Sequence, residues 1–409
     1  MFLQDPLLAA TLSILTSVFV LGFTSSNSRY RIMGFILMLS YVLIVLVSPT
    51  QRDWFTHPIY PNLAGGTTFS VSLQYVDVAL LQRWTYETQG PTSSAKGHPP
   101  PSEMLTEHRT GSIYDRFIFG LWLVFDKRHC GTPWQAKNVP SFDAKDPLRT
   151  PSRREFLAKN SLRCLICILL LDRISIAGQD TSQNKALFDQ RFVPLFTRLS
   201  EVTKGEIVVR VSSSIATALT TYLLFQAMYT CSAIVMVGSG LNEVASWRPL
   251  FGDLSNITSL RGAWNKFWHQ GMGTSLTGPA RYITTQIFHL PTSSLVGRYF
   301  YIMLVFQLSG LIHVVGDVAA GVPMRESGVR EWFSVQALGL PIEDLVAAMT
   351  GTSKNEDGKL WQKIVGFIWV CAWMVWTMPV WTYPISRMSP GEGVLPFSLI
   401  GWFKRGNAR

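Results

Sequence analysis

A histidine within an apolar segment is the first residue of this sequence whose setting points to chemistry. His313 follows Phe306–Ile312, and the segment from Tyr299 to Val315 carries no charge. An ionisable side chain at membrane depth is costly, and its presence indicates a functional site. We expect an imidazole in such surroundings to be neutral near pH 7, so that it can accept a proton as a base. The alternative is a structural histidine that hydrogen-bonds a neighbouring helix.

A second histidine, His269, lies within Trp264–Gln270. Trp264 and Trp268 are four residues apart, so a helix would place both rings on one face. Asn265 would lie one turn from His269 and is a lesser candidate for the same site. Tryptophan at this density is also typical of the membrane interface. His269 is therefore either a site residue or an interface residue.

The composition decides which class of protein must position these residues. Of 409 residues, 47% are hydrophobic and only 15% are charged, whereas a soluble domain has about 25% charged residues. The 14 Trp and 24 Phe residues exclude a disordered chain. The net charge of +10 comes mostly from Lys and Arg between apolar segments, which fits the positive-inside rule and not a nucleic-acid-binding stripe. The sequence predicts an all-α, polytopic helical bundle in a lipid bilayer, with no nucleic-acid partner.

Apolar segments along the chain predict about eight or nine membrane-spanning helices. Since Arg29 and Arg31 are assigned to a cytosolic link, the N-terminus is expected in the lumen and the C-terminus in the cytosol. We divide the chain into N-terminal transmembrane helices (1–82), a polar cytosolic loop (83–116) and a membrane domain (117–409). We expect an integral protein of the endoplasmic reticulum. The clearest spans are Leu7–Thr24, Ile32–Val47, Ser161–Ile176, Ile207–Val237, Arg298–Val318 and Ile364–Tyr383, with Tyr60–Leu81 weaker.

The cysteines give no sign of metal or redox chemistry. Cys164 and Cys167 form a lone CxxC in a helix-like segment, with no second CxxC and no histidine nearby. We therefore expect two small buried residues. No cluster of His, Cys, Asp or Glu has the spacing of metal ligands, and no metal site is predicted.

Four sequence motifs follow in series along the chain. They are Arg116–Trp122 continuing to Gly131–Trp134; Trp247–Gly252 with Ser259–Arg261 and Trp264–Gln270; Ser309–His313; and Phe333 with Gln336, Glu343 and Asp344. In order and spacing, over about residues 115 to 385, they resemble the wax synthase-type branch of the membrane-bound O-acyltransferase (MBOAT-like) proteins, including fungal members of secondary-metabolite pathways.

The resemblance implies an MBOAT-like membrane bundle that acts as an acyl-CoA:alcohol O-acyltransferase. His313 matches the family's membrane-embedded histidine, which is taken as the general base. His269 falls where related enzymes have Asn or His as a second catalytic position. This sequence departs from other branches at Val314, which stands where an acidic residue is common after the histidine. In its place, the carboxylate of Asp317, one turn later, would orient the His313 ring.

The implied mechanism is direct transfer within a ternary complex. A base within about 3 Å of the alcohol proton activates the nucleophile, and His313 would be that base. His269 or Asn265 would donate to the oxygen of the tetrahedral intermediate. No Ser or Cys lies in a nucleophile motif such as GxSxG. Basic residues that could bind the phosphates of the acyl-CoA co-substrate, or only anchor the chain at the interface, are Lys266, Arg261, Arg281 and Arg298.

The sequence favours one function and leaves three alternatives to it open. The fungal resemblance favours transfer from acetyl-CoA to a hydroxyl of a terpenoid-like metabolite, and wax-ester synthesis from a long-chain acyl-CoA and a fatty alcohol is the alternative. A transporter would carry several intramembrane charges or repeat-related broken helices, whereas the charges here lie mostly at the ends of spans. A structural scaffold would need neither histidine. The acceptor alcohol and the oligomeric state are not determined by the sequence.

Overall fold

The structure is a computed structural model that describes residues 5–47, 57–93, 111–179, 186–351, 359–388, 394–395 and 398–401. Within these ranges the secondary structure is helical, apart from one isolated bridge between Thr85 and Gly90. The all-α prediction is confirmed for this part of the chain. Residues 94–110 of the predicted polar loop lie outside it.

The helices follow the apolar segments of the sequence. Asp5 caps the first helix, because its carboxylate accepts the backbone N–H of Leu7 at 2.8 Å and Pro6 begins the helix. The helices are α1 (Pro6–Phe23), α2 (Tyr30–Val47), α3 (Ile59–Tyr75), α4 (Ile113–Phe125), α5 (Arg153–Gln179), α6 (Lys204–Gly238), α7 (Leu260–Gly262), α8 (Gly273–Tyr282), α9 (Leu295–Ala319), α10 (Val329–Thr350), α11 (Leu360–Thr377) and α12 (Pro379–Met388).

Wider π-helical turns extend three of these helices. They are Val76–Leu81 after α3, Ala263–Phe267 after α7 and Ile283–Ile287 after α8. Such turns are rare in proteins, and those that do occur often lie at functional sites. The second of them carries Asn265 and Lys266, two residues singled out from the sequence.

Five helices of the described residues are long and apolar enough to cross a membrane. They are α1, α2, α6, α9 and α11. All five overlap segments that the sequence analysis predicts as spans, which supports an integral membrane protein. The number of about eight or nine crossings, the orientation and the three-part division of the chain stay predictions.

The described residues divide into two compact units. The first contains residues 5–47, 58–93, 111–129 and 271–341. The second contains residue 57 and residues 130–179, 186–270, 342–351, 359–388, 394–395 and 398–401. Each unit is built from segments that are distant in sequence, so each depends on long-range packing.

In the first unit, α3 approaches α9 closely. Gly65 permits this contact, because a Cβ atom there would lie 2.6 Å from the carbonyl oxygen of Val315 and from the Cβ of Ala319. On sequence alone, Gly65 weakens the prediction of a span over Tyr60–Leu81. In the structure, the same glycine brings α3 against the helix that carries His313.

Arg31 is buried in the first unit. Its guanidinium donates to the carbonyl oxygens of Ala79 at 2.9 Å, Thr24 at 3.0 Å and Trp84 at 2.7 Å. The Tyr75 hydroxyl donates to the Arg31 carbonyl at 2.7 Å. These bonds compensate for removing the charge from water. A residue assigned from sequence to a cytosolic link thus also joins α2 to the segment after α3.

In the second unit, α5 and α6 pack along each other. One apolar cluster contains Phe156 of α5, Ala233 and Val237 of α6, and Val244. Another contains Cys167 and Leu171 of α5 with Leu223 and Ala227 of α6. Cys164 and Cys167 are both buried, which confirms them as small buried residues. Among the described residues, no three His, Cys, Asp or Glu side chains gather as metal ligands would.

Candidate active site

His313 lies on α9 in the first unit with its ring half-buried. The imidazole stacks on the Phe333 ring of α10, with 5.2 Å between the ring centroids and 18° between the planes. Phe333 is itself buried and contacts the Trp332 ring edge-on at 4.9 Å. A stacked aromatic ring limits rotation of the imidazole, so α10 sets the plane in which His313 can exchange a proton.

Asp317, one turn after His313, is fully buried. One of its carboxylate oxygens accepts from the Asn62 amide at 2.9 Å, and the other accepts from the Ser327 hydroxyl at 2.6 Å. These bonds join α9 to α3 and to the turn that precedes α10. Its suggested action in orienting His313 stays a prediction.

Two of the predicted phosphate-binding residues also belong to the first unit. The Arg281 guanidinium lies over the Tyr301 ring at 5.7 Å. The Arg298 guanidinium lies over the Tyr299 ring at 5.0 Å and donates to its hydroxyl at 3.3 Å. Both contacts suit a side chain that anchors a helix at an interface, and they also hold each guanidinium in one place.

His269 lies in the second unit, just after a helical turn ends. The backbone N–H of Trp268 donates to the Ala263 carbonyl at 2.7 Å, and Trp268 itself is extended. Trp264–Gln270 is therefore not one continuous helix, because the π-helical turn ends at Phe267. The two rings still meet edge-to-face at 6.2 Å, because the wider π-helical turn brings them together.

Aromatic rings surround His269. The ring centroids of Phe225 on α6, Phe251 and Trp268 lie 5.0, 5.9 and 5.2 Å from that of His269. Three rings on different segments restrict the imidazole to a small region. Phe225 was not identified from the sequence, because one aromatic residue in an apolar span gives no signal of its own.

Trp247–Gly252 and Trp264–Gln270 pack directly on each other. The Gly252 N–H donates to the Phe267 carbonyl at 2.9 Å. A Cβ atom at Gly252 would lie 2.0 Å from the Lys266 carbonyl oxygen, so only glycine fits. The two halves of the second sequence motif therefore form one structural element around His269.

Asn265 is exposed, and its carbonyl accepts from the Gln270 amide at 2.9 Å. Lys266 is half-buried beside it. Arg261 forms an ion pair with Asp344 at 2.9 Å. All three lie in the second unit with His269, whereas His313, Arg281 and Arg298 lie in the first. An Arg261 that binds phosphate would have to share its guanidinium with Asp344.

Glu343 supports the segment that leads to His269. Its carboxylate accepts the backbone N–H groups of Leu260, at 2.5 Å, and Arg261, at 3.2 Å. It also accepts the Trp369 indole N–H at 2.9 Å. Burial raises the pKa of the Glu343 carboxyl, and the two backbone bonds oppose that rise. In the sequence, Glu343 stands out only as part of a motif, and its spacing indicates no function.

We expect Glu343→Ala to destabilise the protein. The substitution leaves the backbone N–H groups of buried Leu260 and half-buried Arg261 without their acceptor, and an unsatisfied buried donor costs about 1–3 kcal/mol. The thermal unfolding midpoint of the purified protein in detergent should fall clearly. Glu331→Ala is the matched control, since Glu331 is an exposed glutamate on the same helix. Equal midpoints for the two variants would show that Glu343 does not support this segment.

Comparisons with known proteins agree on a family. The model of the membrane bound O-acyl transferase family matches residues 247–335, which contain His269, His313 and Phe333. Acetyltransferase fsoF of Humicola fuscoatra is 31% identical over 93% of this chain and 96% of that protein. Acetyltransferase aurG of Calcarisporium arbuscula is 33% identical over 91% of this chain and 90% of that protein. Acetyltransferase pyr8 of Aspergillus fumigatus is 32% identical over 71% of this chain and 70% of that protein. No solved structure matches significantly.

Proposed function

We propose that this chain, which belongs to the membrane-bound O-acyltransferase family, transfers acetyl from acetyl-CoA to a hydrophobic, terpenoid-like alcohol. As a member of that family it is an acyltransferase with an acyl donor and an alcohol acceptor. The acetyl donor is supported by the relatives, which are named acetyltransferases. An apolar acceptor is supported by the candidate spans, since such an alcohol can enter from the bilayer. The endoplasmic reticulum is the proposed location.

One observation carries the proposed chemistry. A half-buried histidine lies on a candidate membrane span within the family-matched region, and an aromatic ring holds it in one plane. In the proposed reaction His313 accepts the hydroxyl proton while the alcohol oxygen attacks the thioester carbonyl carbon. A base positioned in this way contributes about 10²–10⁴-fold to the rate.

The second step needs a hydrogen-bond donor and a proton for the leaving group. His269, or less directly Asn265, donates to the oxyanion of the tetrahedral intermediate. When the intermediate collapses, the carbon–sulfur bond breaks and the CoA thiolate leaves. The imidazolium of His313 returns its proton to that sulfur, so the enzyme ends unchanged and no acyl-enzyme forms. Lys266, Arg261, Arg281 and Arg298 are proposed contacts for the CoA phosphates.

An acyl-transfer assay on membranes tests the proposal. Radiolabelled acetyl-CoA or palmitoyl-CoA is supplied with a panel of terpenoid and fatty alcohols, and membranes from cells lacking the protein are the control. We expect an acetyl ester of a terpenoid alcohol that is absent from the control. A palmitoyl ester of a fatty alcohol would instead establish wax-ester synthesis. If no pair gives an ester above the control, acetyl transfer to these classes of alcohol is contradicted.

A further inference from the structure

A pocket of about 160 Å³ lies wholly within the second unit, at the beginning of α5. Aromatic side chains form part of its lining, and basic side chains of α5 and the preceding loop form another part. The catalytic residues proposed above are not among its lining residues. Pockets with apolar walls and a few polar groups are the usual form of small-molecule sites. The lining residues that matter here are Tyr229, Trp247, Arg149, Lys159 and Arg163.

The aromatic walls are held by their own contacts. The Trp247 and Tyr229 ring centroids are 5.1 Å apart. The Trp247 indole N–H donates to the Asn242 side-chain oxygen at 3.2 Å, and the Tyr229 hydroxyl donates to the Arg248 carbonyl at 2.5 Å. Both rings are therefore positioned before any ligand arrives. The volume suits one planar heterocycle, and aromatic rings favour stacking with such a group.

The basic residues of the lining differ in what they contact. Arg149 pairs with Asp143 at 3.3 Å and with Glu155 at 3.2 Å, and Lys159 pairs with Glu155 at 2.7 Å. Arg163, one turn after Lys159 on α5, forms no hydrogen bond or ion pair within the part of the chain that the structure describes. Its exposed guanidinium is therefore the lining cation that can bind an anion without first breaking an ion pair with a carboxylate.

The pocket shares α6 and the segment Trp247–Gly252 with the surroundings of His269. Tyr229 lines the pocket, and Phe225, one turn earlier on α6, contacts His269. Trp247 lines the pocket as well, and Phe251, on the same short segment, contacts His269. One helical turn rises about 5.4 Å. A long ligand that is bound at one end in the pocket can therefore extend along α6 toward His269.

We propose that this pocket binds the 3′-phosphorylated adenosine end of the CoA donor. The adenine packs against the aromatic wall formed by Tyr229 and Trp247, and the guanidinium of Arg163 binds the 3′-phosphate, since guanidinium and phosphate match in charge and geometry. The pantetheine arm then runs toward His269. This inference rests on the proposed function, because it takes the acyl donor to be a CoA ester.

Kinetics with two donors test the contact. In the full-length protein purified in detergent, Arg163→Ala should raise KM for acetyl-CoA about tenfold or more, with kcat nearly unchanged. For 3′-dephospho-acetyl-CoA the same substitution should leave KM unchanged, because the phosphate is absent. Arg163→Glu should raise KM for acetyl-CoA further. Arg154→Ala is the matched control, since Arg154 is an exposed arginine of the same helix that does not line the pocket.

A binding measurement separates this site from the reaction. Adenosine 3′,5′-bisphosphate is titrated into each purified variant by calorimetry. We expect equal affinity for wild type and Arg154→Ala, and a loss of about tenfold or more for Arg163→Ala. Equal affinity for all three, or the same KM increase with the dephospho donor, would overturn the pocket assignment even if esters form. Binding that depends on Arg163 without ester formation would leave the pocket standing and contradict the proposed reaction.

Discussion

Replacing His313 with asparagine lowers kcat for acyl transfer by about 10²–10⁴-fold, because the amide cannot accept the alcohol proton. The protein should remain folded, since asparagine is smaller than histidine and leaves the Phe333 ring in place. The measurement is the initial rate of ester formation at saturating donor, normalised to the amount of monodisperse protein after size-exclusion chromatography in detergent. KM for the donor should change little, because the substitution acts on the transition state.

His289→Asn is the matched control for this experiment. His289 is an exposed histidine of the first unit with a positive φ of 53°, and asparagine tolerates that backbone conformation. The control should keep the wild-type rate. If His313→Asn keeps it too, His313 is a structural histidine and another group is the base. His313→Gln serves as a second variant if the asparagine protein does not give a monodisperse peak.

Replacing His269 with alanine should lower kcat by about 10²–10³-fold, which is the usual cost of removing one donor to a developing oxyanion. The same assay should give a much smaller loss for Asn265→Ala. The reason is structural, because the Asn265 side chain is exposed, whereas three aromatic rings hold the imidazole of His269 in one position. Donor KM values should be compared for both variants, since loss of binding alone would raise KM and spare kcat.

The two substitutions decide between the candidates for the second catalytic position. A large loss for Asn265→Ala with a small one for His269→Ala would transfer the donor role to Asn265. Small losses for both would show that the oxyanion is stabilised by another group. Fluorescence of the surrounding tryptophans gives an independent test that the aromatic cluster around His269 is retained in each variant.

Much of the fold could be predicted from the sequence, because the features concerned are local. Uncharged apolar segments of sufficient length determine where α1, α2, α6 and α9 lie, since hydrophobicity and helix length act within one segment. The order of four motifs was enough to predict the family, which the comparisons confirm. His313 was identified in the same way, because a lone ionisable residue in an apolar helix is visible without any partner.

The contacts that define the candidate site were decided only by the tertiary structure. Leu260 and Glu343 are 83 residues apart, and Phe225 meets His269 although neither residue predicts the other. Gly65 weakens a span when it is judged by local hydrophobicity, yet it permits the contact of α3 with α9. Residue types and their spacing predict which helix, membrane span or motif a single segment forms. Which side chains of distant segments meet depends on packing and backbone approach, and these are properties of the folded chain.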